Sequence, residues 1–206
     1  GTYEFTESAR LTAGLRYGSD EKEVEEQLSH TLPGLFGAFP HDISAKRHDR
    51  NMPWLVRIDN DLNDDVMLYG SVTQGYKAGG FDLNGLGSSM GNTPSENFEY
   101  EDEKATSFEA GIRSIWLSGA ANLNVSAFYT NYESLQVTQF TGFAFDVGNA
   151  AEATVLGLEL DGRYALSERL QASATVAWQD FEFDEYGGAA CNLRQKAGLQ
   201  AGCTND

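Results

Sequence analysis

Three histidines are the first side chains in this sequence whose chemistry and spacing could serve a function. His30, His41 and His48 are the only histidines, and Asp42 and Asp49 each follow one of the last two. Imidazole and carboxylate groups together could bind a metal ion or contact a haem group. The spacings of 11 and 7 residues match no compact metal-binding motif. We therefore predict that these side chains lie on the surface of a polar loop.

A run of acidic residues is the second candidate site. Its carboxylates could bind Ca²⁺, which takes oxygen ligands. The run lacks the DxDxDG pattern of a calcium-binding loop, so we predict a solvated acidic loop. Its members are Glu96, Glu99, Glu101, Asp102 and Glu103.

Two further patterns resemble chemical motifs without completing them. Glu159 and Asp161 fall on one face of a predicted strand, and we expect them to pair with Arg113 or Arg163 rather than to act as acid and base. The segment Lys77–Phe81 is not a phosphate loop, because neither GKS/T nor a helix follows it. We expect its glycines to adopt positive φ at a sharp bend. The sequence shows no Ser/His/Asp or Cys/His constellation, and we predict neither an enzyme nor a cofactor.

Composition narrows the class of partner. The 206 residues include 14 Lys+Arg and 31 Asp+Glu, a formal net charge of −17. Nucleic acid is excluded as a partner, because binding phosphates requires a basic surface. No apolar run approaches the roughly 20 residues of a membrane-spanning helix. A transmembrane β-strand, however, needs only about 9–11 residues, half of them apolar, and the many glycines and aromatic residues suit β-structure.

The two cysteines lie near the end of the sequence in a polar, glycine-rich segment. We predict a disulfide between Cys191 and Cys203, which implies an oxidising compartment such as the periplasm or the cell exterior. Two free thiols are the alternative. The first residues lack the pattern of a signal peptide and the last lie in a predicted loop, so we expect residues 1–206 to be part of a longer protein.

Alternation of apolar and polar residues recurs along the chain and predicts an all-β fold of about seven strands. The longest, Val66–Phe81, exceeds the roughly 5–6 residues of an ordinary strand. One face of each strand is apolar and the other carries charges of both signs. The strands begin near Leu11, Trp54, Val66, Ser107, Asn122, Leu156 and Leu170.

The connections between these strands alternate in length, as in outer-membrane barrels with short periplasmic turns and long extracellular loops. Alternation alone also fits a soluble or secreted β-sandwich that binds carbohydrate, and this class remains the alternative. Short turns are predicted at Phe5–Ser8, Leu62–Asp65, Ser118–Ala121 and Ser167–Arg169, and longer segments at Leu28–Asp49, Asp82–Glu103, near Thr141–Phe145 and after Tyr186.

Four segments resemble those of TonB-dependent outer-membrane receptors, in the same order along the chain. They are Tyr69–Phe81, Ser107–Arg113, Ala127–Val137 and Asn149–Glu159. The resemblance implies the C-terminal half of an antiparallel, up-and-down transmembrane barrel of about 22 strands, whose plug domain and terminal strands are not in this sequence. It also implies a bacterial outer-membrane location and contact with outer-membrane lipid.

The same resemblance implies a function for the parent protein. It would import a scarce nutrient, most commonly a ferric siderophore complex, with energy that TonB delivers through the plug. Aromatic residues on the outward loops would then contact the cargo, because they offer large contact areas at low entropic cost. The candidates are Phe36, Phe39, Tyr76, Phe81, Phe98, Tyr100 and Phe143.

Overall fold

A computed structural model describes residues 1–29, 41–83, 98–140 and 145–187. Twelve strands account for most of these residues, and a single 3₁₀ turn, Leu117–Gly119, is the only helical element among them. No helix within these ranges has the length and apolar character needed to cross a membrane. The all-β prediction is confirmed.

Eight strands form one antiparallel sheet, in the order β1-β2-β5-β6-β9-β10-β11-β12. Each of these strands pairs with the next one along the sheet, which is the predicted up-and-down arrangement. The sequence prediction missed β1, whose three residues are too few to show alternation. The strands are β1 Thr2–Glu4, β2 Ala9–Leu15, β3 Gly18–Leu28, β4 His41–Asn51, β5 Trp54–Asn63, β6 Val66–Lys77, β7 Gly80–Phe81, β8 Glu99–Tyr100, β9 Glu103–Trp116, β10 Ala121–Phe140, β11 Phe145–Ser167 and β12 Leu170–Tyr186.

Short turns connect the strands at one edge of the eight-stranded sheet, or wall. We name this edge the turn rim. The turns after β1, β5, β9 and β11 lie there, at the four predicted places. The turn after β9 is the most constrained, because Leu117, Ser118 and Gly119 have φ of 55°, 54° and 92°. The predicted alternation of short and long connections is confirmed at this rim.

The opposite edge, which we name the hairpin rim, carries two hairpins that extend the wall. β3 and β4 pair in the register that β2 and β5 begin, and the Arg16 amide joins the two ladders by donating to the Pro53 carbonyl at 3.0 Å. β7 and β8 likewise continue the register of β6 and β9. The prediction that Leu28–Asp49 and Asp82–Glu103 are loops throughout is therefore wrong. Backbone pairing forms these strands, although their side chains lack an apolar face.

The longest predicted strand is interrupted near its end. Val66–Lys77 forms β6, the residues Ala78 and Gly79 separate it from β7, and the chain then resumes as strand at Gly80. The expectation of positive φ at Gly79 and Gly80 is wrong, because Gly119 is the one glycine with positive φ in the described residues. The close contacts described below explain the two glycines instead.

One face of the eight-stranded sheet is apolar and uncovered. A row of residues in register crosses seven strands on this face: Leu11, Ile58, Gly70, Ala110, Ala127, Leu158 and Trp178. The side chains of Ile58, Leu158 and Trp178 are 49%, 48% and 55% exposed. A β-sandwich would bury such a face against a second sheet, but in the described part of the chain no large side chain is fully buried. The sheet therefore behaves as a wall and has no core of its own.

Candidate functional site

The face opposite the apolar row is polar and carries paired charges, and we name it the inner face. Tyr69 lies at its centre and donates a hydrogen bond to Glu109 at 2.5 Å. The guanidinium groups of Arg57 and Arg113 lie 4.1 and 5.4 Å from the centroid of the Tyr69 ring, at cation–π distance. Arg57 also forms an ion pair with Asp59 at 2.7 Å. Charges of both signs are thus held among hydrogen-bonding groups on a single face.

The predicted partners of two acidic residues on this face are wrong. Asp161 accepts hydrogen bonds from Thr175 at 3.0 Å and Asn124 at 3.5 Å. In the described residues no ion pair joins Asp161 or Glu159 to an arginine, since Arg113 lies beside Tyr69 instead. Both carboxylates remain wall residues on the inner face, where we had placed them.

Glycines on the inner face make room for aromatic rings. A Cβ atom on Gly111 would lie 2.6 Å from Cε1 of Tyr69, and one on Gly157 would lie 2.5 Å from Cε1 of Phe128. Both pairs are neighbours across adjacent strands, Tyr69 opposite Gly111 and Phe128 opposite Gly157. The rings therefore lie flat along the wall and leave the space inside it open.

The strongest ion-pair network lies at the hairpin rim, and we name it the Arg47 cluster: Arg47, Asp49, Glu99 and Glu101. The Arg47 guanidinium contacts Asp49 at 2.7 Å, Glu99 at 2.8 Å and Glu101 at 2.7 Å. Its side chain is only 7% exposed. Hydrogen bonds to Asp49, Glu101 and Glu99 raise the pKa of Arg47, and the hydrogen bond from Arg47 lowers the pKa of Glu101. The cluster joins the β3–β4 hairpin to β8 and to the residue that follows it.

Two glycines permit this close approach. A Cβ atom on Gly79 would lie 2.7 Å from the Arg47 guanidinium carbon and closer still to the carbonyl oxygen of Tyr100. One on Gly80 would lie 2.6 Å from the Tyr100 hydroxyl. The Lys22 ammonium also donates to the Gly79 carbonyl. The two glycines are thus needed for contact with β4 and β8.

Two amide side chains hold the β7–β8 hairpin from the side of β10 and β11. The Gln136 amide donates to the carbonyls of Ala78 at 3.2 Å and Glu101 at 3.0 Å. Asn149, directly opposite Gln136 in the sheet, accepts from the Glu101 amide at 2.6 Å and donates to the Glu101 carbonyl at 3.0 Å. The Ser134 carbonyl accepts a second bond from Asn149 at 2.7 Å, where Ser134 has φ 54°. The hairpin is therefore fixed from both sides.

The structure brings together two of the seven predicted aromatic contacts. The rings of Phe81 and Phe98 stack with centroids 5.7 Å apart. Tyr100 lies over Gly80, on the face of β7 opposite to that of Phe81, and all three aromatic residues are half-buried. Tyr76 lies apart, against β3, where its hydroxyl donates to an Asp20 carboxylate oxygen at 3.3 Å. The other predicted contacts, Phe36, Phe39 and Phe143, lie outside the described residues.

The sequence prediction missed an aromatic group on β12. Phe181 and Phe183 pack edge to face at 4.9 Å, and Phe183 meets Tyr186 in the same way at 5.0 Å. Phe181 and Phe183 lie opposite Val155 and Ala153, on the inner face near the hairpin rim. The Phe-x-Phe spacing was a usable signal, but the predicted strand ended before it.

His48 does not lie in a loop, which corrects our prediction for this residue. It lies on β4 with an exposed side chain, and its Nε2 accepts from Arg50 Nε at 3.0 Å. Asp49 points the other way and is buried against Arg47, whereas Asp42 is exposed. His30 lies outside the described residues, and of His41 only the backbone is described.

Glu96 lies outside the described residues, and the rest of the acidic run is not the solvated loop that we predicted. Glu99 and Glu101 bind Arg47, and Glu103 lies 3.9 Å from the Lys77 ammonium while accepting from the backbone N–H of Gln136 at 2.9 Å. Within the described ranges, no group of His, Cys, Asp and Glu residues could hold a metal ion. The disulfide between Cys191 and Cys203 stays a prediction, because both residues lie outside those ranges.

Comparison with known proteins identifies relatives of this chain by sequence. The chain is 23% identical over 166 residues to the pesticin receptor of Yersinia pestis, a match that covers 79% of this chain and 22% of that receptor. The pesticin receptor of Yersinia enterocolitica is 22% identical over the same length. The chain therefore spans about a fifth of the length of the curated relatives that it matches.

Solved structures show the same fold. The ferric yersiniabactin uptake receptor FyuA from Yersinia pestis matches with a TM-score of 0.72 and 21% identity, over 91% of this chain and 27% of that one. The siderophore receptor PiuA from Acinetobacter baumannii matches with a TM-score of 0.67 and 21% identity, over 92% and 25%. The model of the TonB-dependent receptor-like β-barrel matches residues 1–198. The resemblance of the four sequence segments is confirmed: the chain belongs to the TonB-dependent receptor family and forms part of its β-barrel.

Proposed function

We propose that this chain forms part of the wall of a receptor that imports ferric siderophore complexes across the bacterial outer membrane. The observation that carries the proposal is the sheet with one apolar and one charged face. A wall with these two faces separates lipid from a hydrated interior, as the strands of membrane barrels do. Strands β9, β10 and β11 have 14, 20 and 23 residues, and about 9–11 residues suffice to cross a bilayer.

The choice of cargo rests on the relatives and on the hairpin rim. Both solved receptors named above are siderophore receptors, and one takes up ferric yersiniabactin. The stacked pair Phe81–Phe98 offers a half-buried aromatic surface at the hairpin rim, which we assign to the extracellular side. Such a surface suits the aromatic and apolar parts of an amphipathic iron chelate.

The remaining parts of the proposal concern the longer protein. Its plug would lie against the inner face, and TonB would contact the receptor through that plug. The proposal assigns the chain a role in binding and passage and gives it no enzymatic step. Fractionation of cells that express the longer protein should recover it with the outer membrane.

Binding measurements on the purified longer protein test the choice of cargo. The probes are the iron(III) complexes of a phenolate, a catecholate and a hydroxamate siderophore, with a copper(II) chelate and a short peptide as comparison ligands. We expect at least one iron(III) complex to bind at micromolar concentration or below, and cells to take up its ⁵⁵Fe only when TonB is present. Binding of the copper chelate or the peptide alone would overturn the proposal.

A matched pair of variants tests the assigned surface. Phe98→Ala removes half of the stacked pair and should weaken binding of that iron(III) complex by about tenfold, which corresponds to roughly 1.4 kcal/mol. Leu170→Ala removes an equally apolar side chain at the turn rim, where Leu170 is 59% exposed, and should leave binding unchanged. Equal effects of the two substitutions would remove the hairpin rim from the proposal.

A further inference from the structure

We propose that Arg47 is a positioning residue: it locks the β3–β4 and β7–β8 hairpins into one rigid unit and thereby fixes the stacked pair Phe81–Phe98. The lock follows from the geometry of the described residues. Its consequence for cargo capture rests on the function proposed above.

The contacts of Arg47 show why one side chain can join two hairpins. Asp49 lies two residues along the same strand, whereas Glu99 and Glu101 belong to a segment more than 50 residues away in the chain. Charge-assisted hydrogen bonds of this kind are about twice as strong as neutral ones. Without Arg47, the buried carboxylate of Asp49 would lose its ion-pair partner and would face the carboxylate of Glu101. The two hairpins would then repel each other.

The lock acts directly on the aromatic pair. Phe81 is the last residue of β7, and Phe98 immediately precedes β8. The Asp82 amide donates to the Phe98 carbonyl at 2.6 Å, which ties the two ring-bearing segments together. A displacement of β8 away from Arg47 would therefore move both rings with the hairpin.

Gly79 provides a second indication of the lock. A Cβ atom there would meet the Tyr100 carbonyl of its own hairpin and would lie 2.7 Å from the Arg47 guanidinium of the other, so a methyl group fits against neither. Gly75, four residues earlier, has nothing within 4 Å of the corresponding position. The contact between the two hairpins therefore requires glycine at position 79, whereas the space around Gly75 would accept a side chain.

Hydrogen exchange of the longer protein, measured by mass spectrometry, tests the lock. In Arg47→Ala, amides of residues 79–82 and 99–101 should exchange about tenfold faster. Local opening of the hairpin in the wild type must break the contacts of Arg47, and this cost is absent from the variant. Arg47→Lys keeps the charge but cannot reach all three carboxylates, so an intermediate rate is expected. Lys46→Ala is the matched control, since Lys46 pairs with Glu23 at 2.7 Å on the exposed side of the same hairpin.

The glycine pair provides a test that leaves every charge in place. Gly79→Ala should accelerate exchange at the same amides as Arg47→Ala does, and Gly75→Ala should not. Exchange of β9–β11 should stay at the wild-type rate in all variants. Unchanged exchange in Arg47→Ala would overturn the lock, and equal acceleration in β9–β11 would show that Arg47 supports the whole wall instead.

Uptake kinetics with the three iron(III) complexes named above test the consequence for capture. Arg47→Ala should raise the half-saturating concentration about tenfold with the maximal rate per receptor unchanged, and Arg47→Lys should restore part of the loss. Release of the hairpins without a change in half-saturation would overturn the positioning role. If wild-type protein takes up none of the complexes, the proposed function fails, while the exchange rates still decide whether Arg47 locks the hairpins.

Discussion

A pair of adjacent lysine substitutions on β10 distinguishes the two faces of the wall. Ala127 lies on the apolar face between Ala110 and Leu158 in register. Ser126 precedes it, points to the inner face and lies opposite Glu159. Ala127→Lys and Ser126→Lys add almost the same group to positions of almost the same size. The difference in their stabilities therefore reports the surroundings of the new charge.

The structure sets the expected size of that difference. Ala127 is six residues beyond Ala121, where β10 begins at the turn rim. At about 3.3 Å per residue and a tilt of about 45°, this is roughly 14 Å above the rim, near the middle of an apolar band of about 25 Å. A lysine facing lipid at that depth costs about 2–4 kcal/mol. A lysine opposite Glu159 gains up to about 1 kcal/mol from the cross-strand pair.

Equilibrium unfolding in guanidinium, with the longer protein in lipid vesicles, measures both values. We expect Ala127→Lys to be at least about 2 kcal/mol less stable than Ser126→Lys, which is roughly a 30-fold difference in the folding equilibrium. Equal stabilities, or a larger loss for Ser126→Lys, would refute the assignment of the two faces.

Two further predictions concern the inner face and the hairpin rim. Gly157→Ala should destabilise the protein by about 1–3 kcal/mol, because the new methyl group forces the Phe128 ring from its place. Gly148→Ala is the control, since its methyl group would meet nothing within 4 Å and should leave the stability nearly unchanged. Thermal unfolding compares the two variants. Arg47 lowers the pKa of Glu101, so this carboxylate stabilises the hairpins above its unfolded pKa, and the stabilisation is lost as the pH falls through the lower folded value. Protection of the Glu101 backbone amide, corrected for intrinsic exchange, should therefore fall as the pH drops below the ordinary pKa of a glutamate. The fall should be much smaller in Arg47→Ala, and a similar pH dependence in both proteins would contradict this.

The wall could be predicted from the sequence because its signal is local. Each strand that separates an apolar from a charged layer must alternate, so residues such as Asn124, Val125, Ser126 and Ala127 report their own faces. The short turns were also predictable, since they interrupt this alternation at regular places. The three-residue strand β1 was missed because alternation needs more residues to be visible.

The hairpin rim could not be predicted in the same way. β3 has Val24 as its main apolar residue between Gly18 and Leu28, so no alternation marks it as a strand. Its partner, β4, is identified by backbone pairing, which depends on no particular side chain. The role of Arg47 arises from partners on a distant part of the chain. Local patterns do not contain such contacts, and for the same reason Gly79 was assigned to a bend.

Oxygen accessibility along β10 tests the central claim, a wall with lipid on one face, most directly. Single nitroxide labels would be placed at residues 122–129 of the longer protein in vesicles, with Cys191 and Cys203 replaced by serine. Oxygen, which concentrates in lipid, should relax the labels most strongly at Leu123, Val125, Ala127 and Tyr129 and least at the other four positions. Absence of a period of two, or maxima at Asn122, Asn124, Ser126 and Phe128, would contradict the claim.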